Sequence, residues 1–510
     1  MNISEIIVFL LYLAFMLGIG VFFFLHSSGK GDKEYFLGGR SMGPWVTAMS
    51  AQASDMSAWL LMGLPGSIFA WGMGQVWIAI GLALGTAANW IFVAARLRRF
   101  SKASGDSITL PQYLTNRFAS TNPALKIVCA IVFLIAFTVY VASAFVAGRS
   151  VLTSIIPSLD PMVAIAVFAV IVLLYTFLGG YKAVCWTDFF QGLLMLIALL
   201  TVPIVMAAMG RFGDASLYDA VNGAAFTTNL FSASWTDIIT GLAWGLGYLG
   251  MPHILVRFMA IEKPSMVKKS ATVALIWLAL ALGATVLIAL FGRTWLMSDG
   301  TALATMLIPA DRNMVFIRIV QDLFPGVITG ILLAAIIAAS MSTADSQLLV
   351  AASSFTSDLY QPLIRKNKAT DTEMLWVGRI VVAVVAVIAF LIATSGGEWA
   401  SDIMNMVENA WGLFGAAFGP VVILSLFWKR FNFAGALAGI IAGAAADIAW
   451  LLLFTSTISE AIVYNTQIYE ILPGFVCGLI VAVIVTLATP APNDKVVGIF
   501  ETATQKGVDD

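Results

Sequence analysis

Charge is scarce in this chain. Lys and Arg number 27 and Asp and Glu 28, so charged residues make up 11% of 510 while hydrophobic ones make up 60%. A water-soluble globule of this length lacks, at that ratio, the polar side chains to cover its surface. The net charge of −1 provides no basic field for nucleic acid. Two histidines, His26 and His253, are too few for a histidine-based metal centre. Three cysteines, Cys129, Cys185 and Cys477, are widely spaced in or beside apolar runs, and read as small core residues rather than a disulfide or metal set. No G-x-x-x-x-G-K-[ST] string is present, so a phosphate-binding loop for ATP is excluded. No nucleophile–base–orienter set points to an enzyme.

What the chain has instead is apolar runs from end to end. They predict spans at 4–25, 44–65, 71–95, 124–153, 160–179, 184–209, 236–260, 271–293, 326–357, 375–394, 402–427, 433–454 and 471–489. Each approaches the ~20 residues a helix needs to cross a bilayer core. The expected fold class is therefore an all-α polytopic membrane protein of about 13 transmembrane helices. The first run lacks a basic n-region and a small-residue cleavage pattern, and reads as a retained helix.

Alternate loops differ sharply in basic residues. One set holds Lys30, Lys33, Arg40, Arg96, Arg98, Arg99, Lys102, Arg117, Lys182, Arg257, Lys263, Lys268, Lys269, Arg365, Lys366, Lys368, Lys429 and Arg430. The other holds Arg149, Arg211, Arg293, Arg312 and Arg318. The positive-inside rule puts the rich set in the cytoplasm, the N-terminus outside and the C-terminus inside the cell membrane. No loop or tail is long enough for a soluble domain, so 1–510 reads as a single membrane transport domain with 490–510 as a short cytoplasmic tail.

Two spans carry residues that disfavour a continuous helix. The middle of the second holds Ser50, Gln52, Ser54, Asp55 and Ser57. An Asp near a span centre costs ~2.5–3.5 kcal/mol on insertion scales, so it is either satisfied by neighbouring helices or faces a wet cavity or an ion. The seventh carries Gly241, Gly245, Gly247 and Gly250 ahead of Pro252 and is expected to unwind or kink. Exposed backbone at that depth is tolerated only where it lines a cavity. The two spans lie five apart. Transporters made of inverted repeats bind solute and ions at such breaks. This predicts a first repeat at 44–209 and a second at 236–427, preceded by the helix at 4–25 and followed by two helices at 433–489.

The ninth span crowds Ser340, Ser342, Thr343, Asp345 and Ser346 into two helical turns among alanines. Small residues and back-bonded hydroxyls also serve helix packing, and that reading stands beside the functional one. A hard cation such as sodium needs several oxygens and no soft ligand, which hydroxyls and freed carbonyls supply.

The strings EYFLGGRSMGPWVTAMSAQASDMSAWLLMGLPG (34–66), FLGGYKAVCWTDFFQGLLM (177–195), WGLGYLGMPHILVRFMA (244–260) and AASMSTADSQLLV (338–350) resemble the sodium/solute symporter family. The glycine pair followed by Trp186, Thr187, Asp188 and Gln191 is similar to its signature, and the second-span and seventh-span strings resemble its proline-carrying branch. The resemblance implies a leucine-transporter-type core of inverted five-helix repeats that works by alternating access. It implies co-transported Na+ held by Ala53, Met56, Ala339, Ser342 and Thr343, with Asp55 near the ion. It implies L-proline bound by Trp244, Tyr248, Pro252, Tyr140, Ser57 and Ser342. An aromatic wall suits the apolar ring of proline, and unpaired backbone groups suit its zwitterionic end.

Two positions depart from the branch. Asp345 stands where a neutral residue is expected and, with Asp188 and Ser346, is a candidate second cation site; a capped or water-facing pair is the other reading. Ala58 stands where a glycine is expected. The alternatives are the same machine with another cargo (pantothenate, a sugar, a nucleobase or a monocarboxylate), a transporter-like sensor, or a passive channel. The partners implied are the solute, sodium and membrane lipid, with no obligate protein partner and no nucleic acid.

Overall fold

In hydrocarbon every backbone N–H and C=O must be satisfied within the protein, and a helix does this segment by segment. The computed structural model describes residues 3–26, 37–210, 229–297, 309–455 and 465–505, and there the apolar runs are helical. Lys30, Lys33, Arg211 and the last tail residues lie outside the described residues. The one β-type pairing among the described residues is a parallel bridge between Met42 and Ile261.

In chain order the helices are α1 (Ile3–His26), α2 (Pro44–Asp55), α3 (Trp59–Trp71), α4 (Met73–Ala103) and α5 (Leu110–Arg117). There follow α6 (Ala124–Ile155), α7 (Pro161–Leu174), α8 (Gly180–Ala208), α9 (Trp235–Leu249), α10 (Pro252–Ala260) and α11 (Pro264–Leu296). Next come α12 (Val315–Leu323), α13 (Gly326–Ile364), α14 (Asp371–Ala393), α15 (Ile403–Phe427), α16 (Phe433–Phe454) and α17 (Ile471–Ala488), and last α18 (Asp494–Thr504). Among the described residues, ten are long and apolar enough to cross a membrane, or eleven when α9 and α10, bent 44° at their break, form one span. The expected second and fifth spans appear as shorter pieces, α2 with α3 and α7.

The breaks have local causes. Asp160 accepts from Met162 N and Val163 N to start α7. Ser234 and Asp237 form a reciprocal capping box on α9, satisfying N–H groups that a helix start leaves open. Gly180 lies at φ 68°, ψ 175°, a backbone region that only glycine enters at low cost, and it separates α7 from α8 inside the FLGG string.

The seventh span differs from its expectation in detail. None of Gly241, Gly245, Gly247 and Gly250 has a positive φ. The helix runs on through Gly241, tightens to a 3-10 turn at Trp244–Leu249, and stops only at Gly250 and Met251. The glycines serve close approach instead. A Cβ at Gly81 of α4 would lie 2.1 Å from the Gly241 carbonyl, and one at Gly245 would lie 2.4 Å from the Gly81 carbonyl. With Gly85 against Gly245, two small-xxx-small faces bring the backbones of α4 and α9 together.

Burial identifies the centre of the bundle. In α13 and α15, 83% of the most apolar stretch is buried, against 17% in α1 and 28% in α14 and α16. The former pack on all sides and the latter show their apolar faces outward, to lipid in a membrane. Packing α13 against α6, α8 and α1, and α15 against α6, α16, α17 and the last turns of α9, surrounds the two breaks with protein.

Candidate functional site

The end of α2 leaves carbonyls without their usual donors. Met56 N donates to Gln52 O at 2.8 Å, but Ser57 N turns back to Asp55 O at 2.9 Å. Met56 itself has left the helix, at φ −80°, ψ 73°. The Ser342 hydroxyl of α13 reaches Ala53 O instead, at 2.8 Å, and lies 3.1 Å from Ala339 O of its own helix. Thr343, the next residue, carries a fully buried hydroxyl with no hydrogen-bond partner. An orphaned buried hydroxyl is costly, and a bound cation is one way to satisfy it. Three of the five residues expected to hold sodium, Ala53, Ala339 and Ser342, thus meet at one junction of α2 and α13; Thr343 is the next residue of α13, and Met56 sits in the break of α2.

Asp55 ends α2 at 1% exposure. Its Oδ2 accepts from the Tyr248 hydroxyl at 2.5 Å, and its Oδ1 has no hydrogen-bond partner. Its backbone carbonyl accepts from Trp59 Nε1 at 3.2 Å and Tyr140 Oη at 3.5 Å. Ser57 Oγ lies 3.5 Å from Trp59 N. The second break is therefore joined through Asp55 to the 3-10 turn of the seventh span and to α6.

The aromatic residues converge at that turn. Trp244 is buried, and its Nε1 has no partner. The Trp244 carbonyl accepts from Trp411 Nε1 at 2.8 Å, and its ring lies 5.1 Å from that of Tyr469. Tyr248 meets Trp411 edge to face at 4.9 Å, and its carbonyl accepts from Asn89 Nδ2 at 2.9 Å. Pro252 opens α10, where a missing N–H costs no helical bond. Trp411, Tyr469 and Asn89 were not singled out from sequence. A lone Asn in the third span was the one available signal; the two aromatics resemble any core residue until α15 and α17 are packed.

The candidate second cation site is arranged around an arginine. Arg257, a cytoplasmic loop charge by the alternation of basic residues, instead lies within α10 at 1% exposure. Its Nη2 donates to Asp188 Oδ2 at 2.8 Å and to Ser346 Oγ at 2.5 Å. Its Nε donates to Ser50 Oγ at 2.8 Å, and its Nη1 to His253 O at 2.6 Å. Ser50 Oγ in turn donates to Asp188 Oδ2 at 2.6 Å. Asp188 and Ser346 therefore meet through a guanidinium. Asp345, also fully buried, takes no part in these hydrogen bonds.

Two interrupted helices facing a central hydroxyl-rich helix define a membrane transporter of the broken-helix class. The sequence model of the family described as "Sodium:solute symporter family" matches residues 35–443, and the chain belongs to that family. The sodium/proline symporter of Haemophilus influenzae is 39% identical over 98% of this chain and 97% of its own. The high-affinity proline transporter PutP of Bacillus subtilis is 42% identical over 95% and 98%. The osmoregulated proline transporter OpuE of the same organism is 42% identical over 98% and 99%. Among solved structures, a Na+-coupled sialic acid symporter matches with a TM-score of 0.71 at 21% identity, over 96% of this chain and 99% of that one. Mhp1, a nucleobase-cation-symport-1 family transporter, matches at 0.54 and 13% identity, over 92% and 98%.

Proposed function

We propose that this protein is a sodium-coupled secondary transporter that imports L-proline across the cell membrane by alternating access. The observation that carries the reading is the junction of α2 and α13. There the Ser342 hydroxyl lies within hydrogen-bond distance of the Ala53 and Ala339 carbonyls, and the next residue, Thr343, carries a buried hydroxyl without a partner. An oxygen-only, buried donor set suits a hard monovalent cation. Met56 supplies a further backbone oxygen in this assignment, and Asp55 supplies negative charge nearby without needing to touch the ion.

L-proline is assigned to the neighbouring turn of α9. Trp244 and Tyr140 face its apolar ring, while Tyr248, Ser57, Ser342 and the backbone ahead of Pro252 address its zwitterionic end. The family relatives named for proline support this cargo over pantothenate, a sugar, a nucleobase or a monocarboxylate. Binding both ligands at adjacent breaks makes each favour the arrangement the other needs, which is the thermodynamic content of coupling.

The topology belongs to the same proposal. Thirteen spans place the N-terminus outside and the C-terminus in the cytoplasm, with repeats at 44–209 and 236–427, an extra helix at 4–25, two helices at 433–489 and a tail at 490–510. Removing Arg257 from the loop charges leaves the asymmetry intact. On the cytoplasmic side of this assignment, Arg40 bonds Asp106 at 2.7 Å and Ser107 O at 2.8 Å, and also the Met259 carbonyl. Arg98 holds Ile261 O at 2.6 Å and Glu262 O at 2.9 Å. These contacts tie the segment before α2, and the end of α4 with the segment after it, to the end of α10, and inward release requires that latch to open. Lipid surrounds the bundle, and no protein partner enters the reading.

A zwitterion moving with one sodium carries one net charge. The potential then contributes about 2.3 kcal/mol per 100 mV, and a tenfold sodium gradient about 1.4 kcal/mol. Together they support accumulation of roughly a few hundred-fold. The test is uptake of labelled proline into proteoliposomes under an imposed sodium gradient. Uptake that stops when the gradient is removed, and that unlabelled proline competes at micromolar levels, is the expected result. Uptake indifferent to sodium, or to unlabelled proline, overturns it.

A further inference from the structure

Four buried groups from four different helices close on the Arg257 guanidinium: Ser50 of α2, Asp188 of α8, the His253 carbonyl of α10 and Ser346 of α13. Ser50 and Asp188 are 0% exposed and Ser346 is 1%. Ser50 precedes Ala53 by three residues on α2, and Ser346 follows Ser342 by four on α13. The guanidinium cage thus repeats, one helical turn (about 5.4 Å) along the same two helices, the junction assigned above to sodium. In both places a helix carrying hydroxyls faces α2 across a point where oxygen atoms converge. At one the oxygens meet each other; at the other they meet a fixed positive charge.

We propose that Arg257 is a tethered cation that fills the position a second transported sodium would otherwise occupy, so that this transporter moves one sodium per solute. The inference rests on the sodium-symport reading given above. An arginine stays charged under all conditions in a protein and is covalently held, so it satisfies Asp188 throughout the cycle without being carried. Its planar fork presents several donors in fixed directions, which matches hydroxyl, carboxylate and carbonyl acceptors drawn from four helices. With the guanidinium absent, Asp188, Ser50 and Ser346 remain as a buried all-oxygen set with a net negative charge, which is what a hard cation needs. Arg257 on this account sets stoichiometry and does not contact the solute.

Two measurements test this with the full-length protein. The first is the sodium-to-proline flux ratio in proteoliposomes, from the proline gradient that just balances a known sodium gradient and potential. The second is the number of sodium ions bound per purified protein, read with labelled sodium in detergent, which does not depend on the identity of the solute. The expected wild-type result is a ratio of one and one bound ion. Arg257→Gln is expected to raise both to two and to steepen the sodium dependence of uptake. Arg257→Lys, which keeps the charge, is expected to stay at one. The double variant Arg257→Gln/Asp188→Asn, which removes both charges, is expected to return to one.

A wild-type ratio of two overturns the proposal, as does an Arg257→Gln protein that still binds a single ion. If Arg257→Gln alone fails to fold with Asp188 left unpaired, the charge-neutral double variant and the wild type still decide: two ions in either overturns it. A wild type that shows no sodium-driven proline uptake sinks the assigned function instead. The sodium count still reads the state of the arginine site in that case.

Discussion

The Tyr248 hydroxyl donates to Asp55 Oδ2 at 2.5 Å, and this single bond joins the 3-10 turn of α9 to the broken end of α2. One partner was assigned to the solute and the other to the ion. Their contact connects the two proposed sites directly.

Replacing Tyr248 by Phe deletes that bond and leaves the Asp55 carboxylate without its one hydrogen-bond donor to either side-chain oxygen. A hydrogen bond to a charged group contributes about 1.5–3 kcal/mol, so half-saturating concentrations of sodium and of proline should rise together by roughly 10- to 100-fold. Asp55→Cys, which removes the charge, should mainly lower sodium affinity while insertion into the membrane stays normal. Initial rates across a sodium series at fixed proline, and the converse, check both. A change in maximal rate alone would show that the bond carries no coupling.

Ser342 and Thr343 should separate by their partners. Ser342→Ala removes the contact between α13 and Ala53, so it should lower thermal stability in detergent as well as sodium affinity. Thr343→Ala removes a hydroxyl with no protein partner, so its stability cost should be that of one buried methyl group, about 0.5–1.5 kcal/mol, with no hydrogen bond lost. Its half-saturating sodium should still rise about tenfold or more, equivalent to ~1.4 kcal/mol. Equal sodium response in Thr343→Ala and wild type would remove Thr343 from the ion site.

Trp411 holds the Trp244 carbonyl and packs against Tyr248 without being one of the residues assigned to either ligand. Trp411→Phe loses the indole donor, worth about 1 kcal/mol, and should weaken proline several-fold with little effect on sodium. Trp244→Ala should weaken proline much more. Competition binding of labelled proline at saturating sodium distinguishes these outcomes. A sodium-selective defect in either variant would contradict the division of roles.

The glycine contacts between α4 and α9 leave no space for a side chain. Gly245→Ala would place a Cβ 2.4 Å from the Gly81 carbonyl, and this atom belongs to backbone that cannot swing aside. Overpacking of this kind costs about 1–3 kcal/mol, so the melting temperature in detergent should fall and the α9 turn should shift. Gly283→Ala is the control, since nothing lies within 4 Å of its added Cβ, and it should be neutral.

Sequence patterning made the membrane class, the span positions and the two interrupted helices readable, because each depends on local composition. Asp55 in the middle of a run and Pro252 after a glycine series are local facts. The structure brings the Ser342 hydroxyl of α13 to the Ala53 carbonyl of α2. What failed to show was orientation. The glycines at 241 and 245 looked like unwinding elements, and they proved to be sites of backbone approach with ordinary φ values. Trp411 and Tyr469 carried no local mark that set them apart from core.

By itself, then, the chain determined that it must cross a membrane as many helices, where those helices weaken, and which oxygen-bearing residues are available for a cation. These follow from the cost of burying polar groups in hydrocarbon, which acts along the sequence one segment at a time. The tertiary structure decided which of those residues meet. Arg257 shows the difference most clearly. In sequence it is a basic residue at the cytoplasmic end of a span. Only when α2, α8, α10 and α13 pack together does it become the cation that Ser50, Asp188 and Ser346 enclose. Pairing a buried charge is a property of four helices at once, and no single segment encodes it.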